Sequence, residues 1–230
     1  MHKKMTRVCL REAEQFVWIT GENGCHCGGN QAWFEWKGQE SRSHVARQGA
    51  CGTVALANIA AYLAGKDPAY KGLYPYPDYS KASFLAHMED LYGYVAPYHI
   101  GRFPLGVWPI GRLAAGMERF ARDRGVTLHA ARRDWFFSRR NVLRYVTEGL
   151  ESDCPVAMLV GTHRLRQVEV AYPGRGSCKE DIGLHWVTVT GLETDGETVR
   201  FEVSTWGGRA VLNLDEYMKE KVYAGMMYFA

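Results

Sequence analysis

The chain has 230 residues and a formal net charge of +3, with 47% of the residues hydrophobic and 13% aromatic. That is enough apolar material for a sizeable core, and residues 1–230 read as one domain. No stretch approaches the ~20 apolar residues of a membrane span, and the dispersed basic residues, paired only at Arg132-Arg133 and Arg139-Arg140, exclude the dense basic face of a nucleic-acid binder.

The start, Met1 to Arg7, is positive, but Val8-Cys9-Leu10 runs at once into Arg11, Glu12 and Glu14. With no apolar stretch behind those charges, a cytoplasmic chain without a leader is expected. Cysteines stand at 9, 25, 27, 51, 154 and 178 in no regular framework, so mostly reduced thiols are expected. The first fifty residues read as irregular, with turns at Gly21-Glu22-Asn23-Gly24 and Cys27-Gly28-Gly29-Asn30. Cys25-His26-Cys27 with Cys9 is a candidate soft-metal site. Its spacing is not that of zinc ligands and no second pair lies nearby, so no metal is assigned.

Residues 51–65 are rich in alanine and leucine, carry no charge and end at Gly65, a plausible helix terminus. A helix without a polar face is a buried helix. The spacing then predicts helices over 81–92, with Ser80 as cap, over 110–124, and over 138–151, with Ser138 as cap. Residues 93–108 read as a long loop and 126–131 as a short strand. From Cys154 strands take over. Residues 155–160 form a continuous apolar run, as in a strand covered on both faces. Strands follow at 167–172, 185–190 and 199–204, the last two joined by a turn carrying Asp195-Gly196. Short elements complete the chain: a strand at 210–212, a helical turn at 215–221 and a strand at 223–229. Helices first and an antiparallel sheet second define an α+β arrangement.

Two residues stand out. Cys51 opens the buried helix, where unpaired N–H groups and the positive end of the helix dipole favour a thiolate. Gly52 beside it leaves room for a substrate backbone. His185 stands at the mouth of an alternating apolar strand, His185-Trp186-Val187-Thr188-Val189-Thr190, and the paired strand ends in Ser204-Thr205-Trp206-Gly207. A thiol needs a base, and an imidazole is the usual one. Other polar groups read more plainly. Arg175 and His163-Arg164-Leu165-Arg166 read as solvated loop charge, with contact to an acidic substrate group as the alternative. The aromatic segments Tyr74 to Tyr79 and Tyr92-Gly93-Tyr94 either line a peptide cleft or pack on the surface. His87, His99 and His129 receive no role.

Gln48-Gly49-Ala50-Cys51-Gly52-Thr53, His185-Trp186-Val187-Thr188-Val189-Thr190-Gly191 and Ser204-Thr205-Trp206-Gly207, in that order, resemble papain-like cysteine peptidases. The resemblance is closest to the bacterial branch that includes the bacteriocin-processing double-glycine peptidases. It covers roughly residues 45–65 and 153–215 and implies a papain-like fold. A helical part of about 45–152, holding the buried nucleophile helix, would pack on a sheet part of about 153–230. By position, Cys51 is the implied nucleophile and His185 the implied base. Gln48 is the implied oxyanion-hole side chain, although its spacing to the cysteine is three rather than about six. Gln39 is a weaker substitute. The orienting Asn or Asp of the family falls at Ser204, with Thr205 as the neighbouring alternative, and Trp206 resembles the tryptophan that shields the imidazole. Counting outward from the Asp195-Gly196 turn puts Ser204 and His185 at one end of the hairpin and favours Ser204 over Thr205. The implied activity is hydrolysis of a peptide or amide bond in a peptide or protein substrate, without a cofactor. The alternatives are a weak or inactive peptide-binding domain, motivated by the uncharged Ser204, and an acyltransferase using the same Cys–His pair.

Overall fold

The computed structural model describes residues 5–22, 24–133, 138–220 and 224–230. In chain order the elements begin with β1 (Thr6–Cys9), β2 (Trp18–Gly21), β3 (Gly24–Cys27), α1 (Glu40–Gly49), α2 (Cys51–Lys66) and α3 (Lys81–Tyr92). The middle of the chain holds β4 (Tyr98–Ile100), β5 (Phe103–Gly106), α4 (Ile110–Arg122), β6 (Ala130–Arg133) and α5 (Arg139–Glu151). Last come β7 (Val156–Val160), β8 (Leu165–Tyr172), β9 (Gly176–Ile182), β10 (His185–Thr194), β11 (Val199–Thr205), β12 (Gly208–Asn213), α6 (Leu214–Tyr217) and β13 (Gly225–Phe229).

The architecture is α+β, built on one large antiparallel sheet. Its strand order is β6-β13-β7-β10-β11-β12-β8-β9, with β1 added beside β10. Strand β10 is the hub. One of its edges pairs with β7 over His185–Val189 and with β1 over Gly191–Thr194, and its other edge pairs with β11. The apolar runs of β7 and the first eight residues of β10 are buried throughout, as their sequence predicts.

Helix α2 is the core helix, buried continuously from Cys51 to Leu63, and it packs across β10 and against α3. Gly52 lets it begin close to the sheet. A Cβ there would stand 3.1 Å from the Trp186 ring and from the Val107 side chain, tighter than ordinary contact. Asp67, just past α2, opens a short 3-10 segment, Pro68–Leu73, with its side chain accepting from the Ala69 N–H. Ser80 and Ser138 cap α3 and α5 as expected, each hydroxyl accepting an N–H three residues on.

Several expectations fail for physical reasons. Residues 93–108 contain the β4–β5 hairpin, whose side chains are largely exposed and so lack a strand-like burial pattern. Strand β6 begins at Ala130, later than expected. The first fifty residues are not simply irregular. They supply β1 to the main sheet, the β2–β3 hairpin and helix α1. Strand β9 was not expected because its residues are polar; they are exposed to Asp181, and pairing with β8 alone defines the strand. Of the elements expected at 215–221 and 223–229, Lys221 and Tyr223 lie outside the described residues. No helix among the described residues is long and apolar enough to cross a membrane.

Candidate functional site

Cys51 and His185 come together at the junction of α2 and β10. Both line one narrow cavity together with Gln31, Asn58, Thr205 and Trp206. Cys51 is 6% exposed and His185 also 6%. The thiol and the imidazole make no hydrogen bond to each other. His185 Nε2 instead lies 2.8 Å from Thr205 Oγ1, and the ring stacks on Trp206 with centroids 4.3 Å apart. Trp206 holds that place in a left-handed backbone conformation (φ 48°) at the β11–β12 turn.

The electrostatics describe a neutral pair. Burial pushes the Cys51 thiol above its ordinary range, opposed by the backbone N–H groups of Trp186, Gly52 and Cys51 itself. Burial also holds the His185 imidazole down to about 3. At neutral pH the site therefore rests as thiol and imidazole rather than as thiolate and imidazolium.

Ser204 does not orient His185. Its hydroxyl donates to the Cys27 carbonyl at 2.8 Å and is buried against Gly28. Thr205 takes the imidazole because of a β-bulge. Toward the Asp195-Gly196 turn the register pairs Gly191 with Glu202 and Leu192 with Phe201. Beyond Thr190 it shifts to Val189 with Val203 and Thr188 with Ser204. The extra residue reverses which side chains of β11 share a face with His185. Counting from the turn without the bulge selects Ser204; counting with it selects Thr205.

Gln48, the side chain that the resemblance implies for the oxyanion hole, is not at the site. It lies on the last turn of α1 with its side chain exposed and does not line the cavity. Gln39, at the α1 N-cap, is exposed and accepts from Arg42. The glutamine that does line the cavity is Gln31, in a 3-10 turn spanning Gln31–Trp33. Its Nε2 donates to the Arg47 carbonyl at 2.9 Å. Gln31 stands far from Cys51 in the sequence and is brought to the cavity by contacts of its neighbours with Asn58 and Trp206.

The segment carrying Gln31 is clamped between α2 and the sheet by a buried polar cluster. Asn58 Oδ1 accepts from the Gly29 N–H at 2.8 Å, and Asn58 Nδ2 donates to Thr188 Oγ1 at 3.3 Å. Asn30 Nδ2 donates to the Trp206 carbonyl at 2.8 Å. Gly28 is required there. Its φ is +78°, and a Cβ would stand 2.4 Å from Ser204 Oγ.

The Cys25-His26-Cys27 segment is strand β3, so His26 projects to the face opposite the two cysteines. His26 Nδ1 faces the Arg175 guanidinium at 2.7 Å, and Cys27 Sγ accepts from Arg209 Nε at 3.2 Å. Among the described residues no group of three or more His, Cys, Asp or Glu side chains is arranged to hold a metal ion. Comparison with known proteins adds no relative: no family model, curated protein or solved structure matches the chain.

Proposed function

We propose that the chain is a papain-like thiol hydrolase that cleaves a peptide or amide bond through a Cys51–His185 pair. One observation carries this reading: Cys51 at the start of a buried helix and His185 at the start of the central strand line one cavity, with the imidazole held by Thr205 and covered by Trp206.

The chemistry follows from the proton positions. With Thr205 accepting from Nε2–H, the Nδ1 lone pair of His185 is left to take the thiol proton. The Cys51 sulfur attacks the carbonyl carbon as Nδ1 takes that proton. The oxyanion forms beside the Cys51 N–H, with the Gln31 side-chain amide as the second donor. Nδ1–H then protonates the departing amine, leaving an acyl-enzyme. A water, deprotonated by the same nitrogen, releases the acid and restores the thiol.

The uncharged Thr205 and the burial of His185 also support a second reading, a weakly catalytic peptide-binding domain. A neutral hydroxyl stabilises an imidazolium less than a carboxylate does, and burial opposes its formation. Labelling with iodoacetamide, followed by peptide mass mapping, tests the first reading. Cys51 should label faster than buried Cys154, whose thiol burial pushes up to about 12, and His185→Gln should abolish that lead. Wild-type protein should also cleave a mixed peptide pool that Cys51→Ser leaves intact. Equal labelling of Cys51 and Cys154 overturns the activated nucleophile. Labelling without cleavage selects the binding domain.

A further inference from the structure

A second groove lies beside the thiol cavity, between the β2–β3 hairpin, the first turn of α3 and the β8–β9 turn. It measures about 520 Å³ and is lined by His26, Trp33, Lys81, Arg175 and Glu22 among others. That is the size of a site for a small ligand or a few side chains.

The groove is cationic, and its two cations stand outside the ion pairs of the sheet and helices. Arg7 and Arg209 on the sheet face are tied to glutamates, and Arg124 and Arg139 to aspartates. Arg175 and Lys81 have no such partner. Among the described residues no carboxylate lies at ion-pair distance from either, and Glu22 is the single acidic side chain of the groove. Lys81 stands over the Trp33 ring at 5.4 Å. Arg175 spends one N–H on His26 Nδ1 at 2.7 Å, which makes that nitrogen an acceptor and leaves the imidazole proton on Nε2. Burial first, then Arg175 and Lys81, hold His26 down to about 4, so it stays neutral at physiological pH. Two cations with free N–H groups therefore face the groove, together with an aromatic floor.

The groove adjoins the thiol cavity through shared backbone. One 3-10 turn places Gln31 in the cavity and Trp33 in the groove. Two residues of such a turn rise only about 4 Å. On the other wall, the Cys27 N–H donates to the Gly207 carbonyl, and Gly207 follows the Trp206 that covers His185. An extended peptide rises about 3.3 Å per residue, so one held at Cys51 reaches the groove within a few residues.

We propose that this groove binds a carboxylate of the substrate, with Arg175 and Lys81 as its ligands and Trp33 as the surface against which the acidic residue packs. The proposal rests on the thiol-hydrolase reading for the word substrate, but the binding itself needs no turnover. The carboxylate belongs either to an acidic side chain or to the chain terminus, and two probe arms separate these. The protein is the full chain carrying Cys51→Ala, and the readout is fluorescence anisotropy. The probes are amino-terminally labelled pentapeptide pools of mixed Ala, Leu and Ser, carrying one Glu and a terminal amide, or no Glu and a free terminal carboxylate. The control pool carries Gln and a terminal amide. One carboxylate pool should bind about fivefold more tightly than the control, the scale of an exposed charge-assisted pair. Arg175→Gln and Lys81→Gln should each reduce that preference, and the double variant should remove it. Both side chains are exposed, so the fold tolerates these changes. Equal binding of all pools, no binding of any pool, or a preference that survives the double substitution overturns the proposal. An inert Cys51 in the labelling assay overturns the hydrolase reading instead and leaves the anisotropy result readable.

Discussion

Thr205→Val removes one hydroxyl and preserves the shape of the side chain, so it isolates what Thr205 does for His185. The bond it deletes is 2.8 Å long and lies between two buried groups, with Thr205 3% and His185 6% exposed. A neutral hydrogen bond contributes about 0.5–1.5 kcal/mol, and a buried nitrogen left unpaired adds about 1–3 kcal/mol of cost. Part of that cost falls on stability. The part that falls on imidazole orientation slows proton transfer, and each ~1.4 kcal/mol is tenfold in rate. We expect Thr205→Val to slow Cys51 alkylation by iodoacetamide about tenfold at pH 7.5. Ser204→Ala deletes the bond to the Cys27 carbonyl instead. It should lower stability by about 1 kcal/mol while changing Cys51 alkylation less than twofold. The assay is the second-order labelling rate of the Cys51 peptide by mass spectrometry, with urea unfolding of each variant alongside. If Ser204→Ala slows labelling more than Thr205→Val, the bulge-based register argument is wrong.

Two further outcomes follow from the buried titratable groups. Because burial raises the Cys51 thiol above its ordinary value of 9.0 and no imidazolium is held beside it, the wild-type alkylation rate should still be climbing with pH at about 9. A plateau between about pH 5 and 8 would instead reveal a preformed ion pair. His87 is fully buried, with Nε2 on the Ala57 carbonyl and Nδ1 unpartnered, and burial lowers it from 6.5 to about 4. The folded state thus binds fewer protons than the unfolded one, so stability is full above about pH 6.5 and falls as the pH drops toward 4. His87 alone contributes about 3 kcal/mol to that loss. His87→Phe should flatten the acid limb of urea-midpoint against pH, and an unchanged slope would refute the assignment.

The long elements were legible because their sequence signal is local. Helix α2 shows as an uncharged apolar run, and β7 and β10 show as buried strands. Ser80 and Ser138 announce their helices through capping chemistry. Cys51 and His185 were legible because each sits at the first residue of such an element. What escaped depends on contacts distant in sequence. Strand β1 has only four residues and is defined by its pairing with β10, some 185 residues on. Gln31 reaches the cavity because Asn58 and Trp206 hold its segment there, and neither partner leaves a trace near residue 31. The bulge at Thr190 is announced only by the neighbouring strand glycine, Gly191, and a count outward from the turn passes over it. One extra residue was enough to exchange Ser204 for Thr205.

That exchange bears on how the site is assembled. On one side of β11, Thr205 holds the imidazole; Ser204, projecting to the other side, holds the Cys27 carbonyl and with it the segment that carries Gln31. Neighbouring residues of one strand thus fix the imidazole and the Gln31 segment independently, the two groups proposed as base and second oxyanion donor. The first fifty residues are then part of the site rather than a preface to it. Asn58 strengthens the link, because it stands on α2 two turns beyond Cys51 and accepts from Gly29 while donating to Thr188 of β10. Helix, sheet and amino-terminal segment meet at that one buried amide. An amide left half-satisfied in a dry core costs about 1–3 kcal/mol, so the three parts are held together as a unit. Helix α2 and strand β10 alone would bring thiol and imidazole together but would leave the wall beside Cys51 open to water. The Gly28–Gln31 segment closes that wall, and the absence of a side chain at Gly28 is what lets it lie against Ser204.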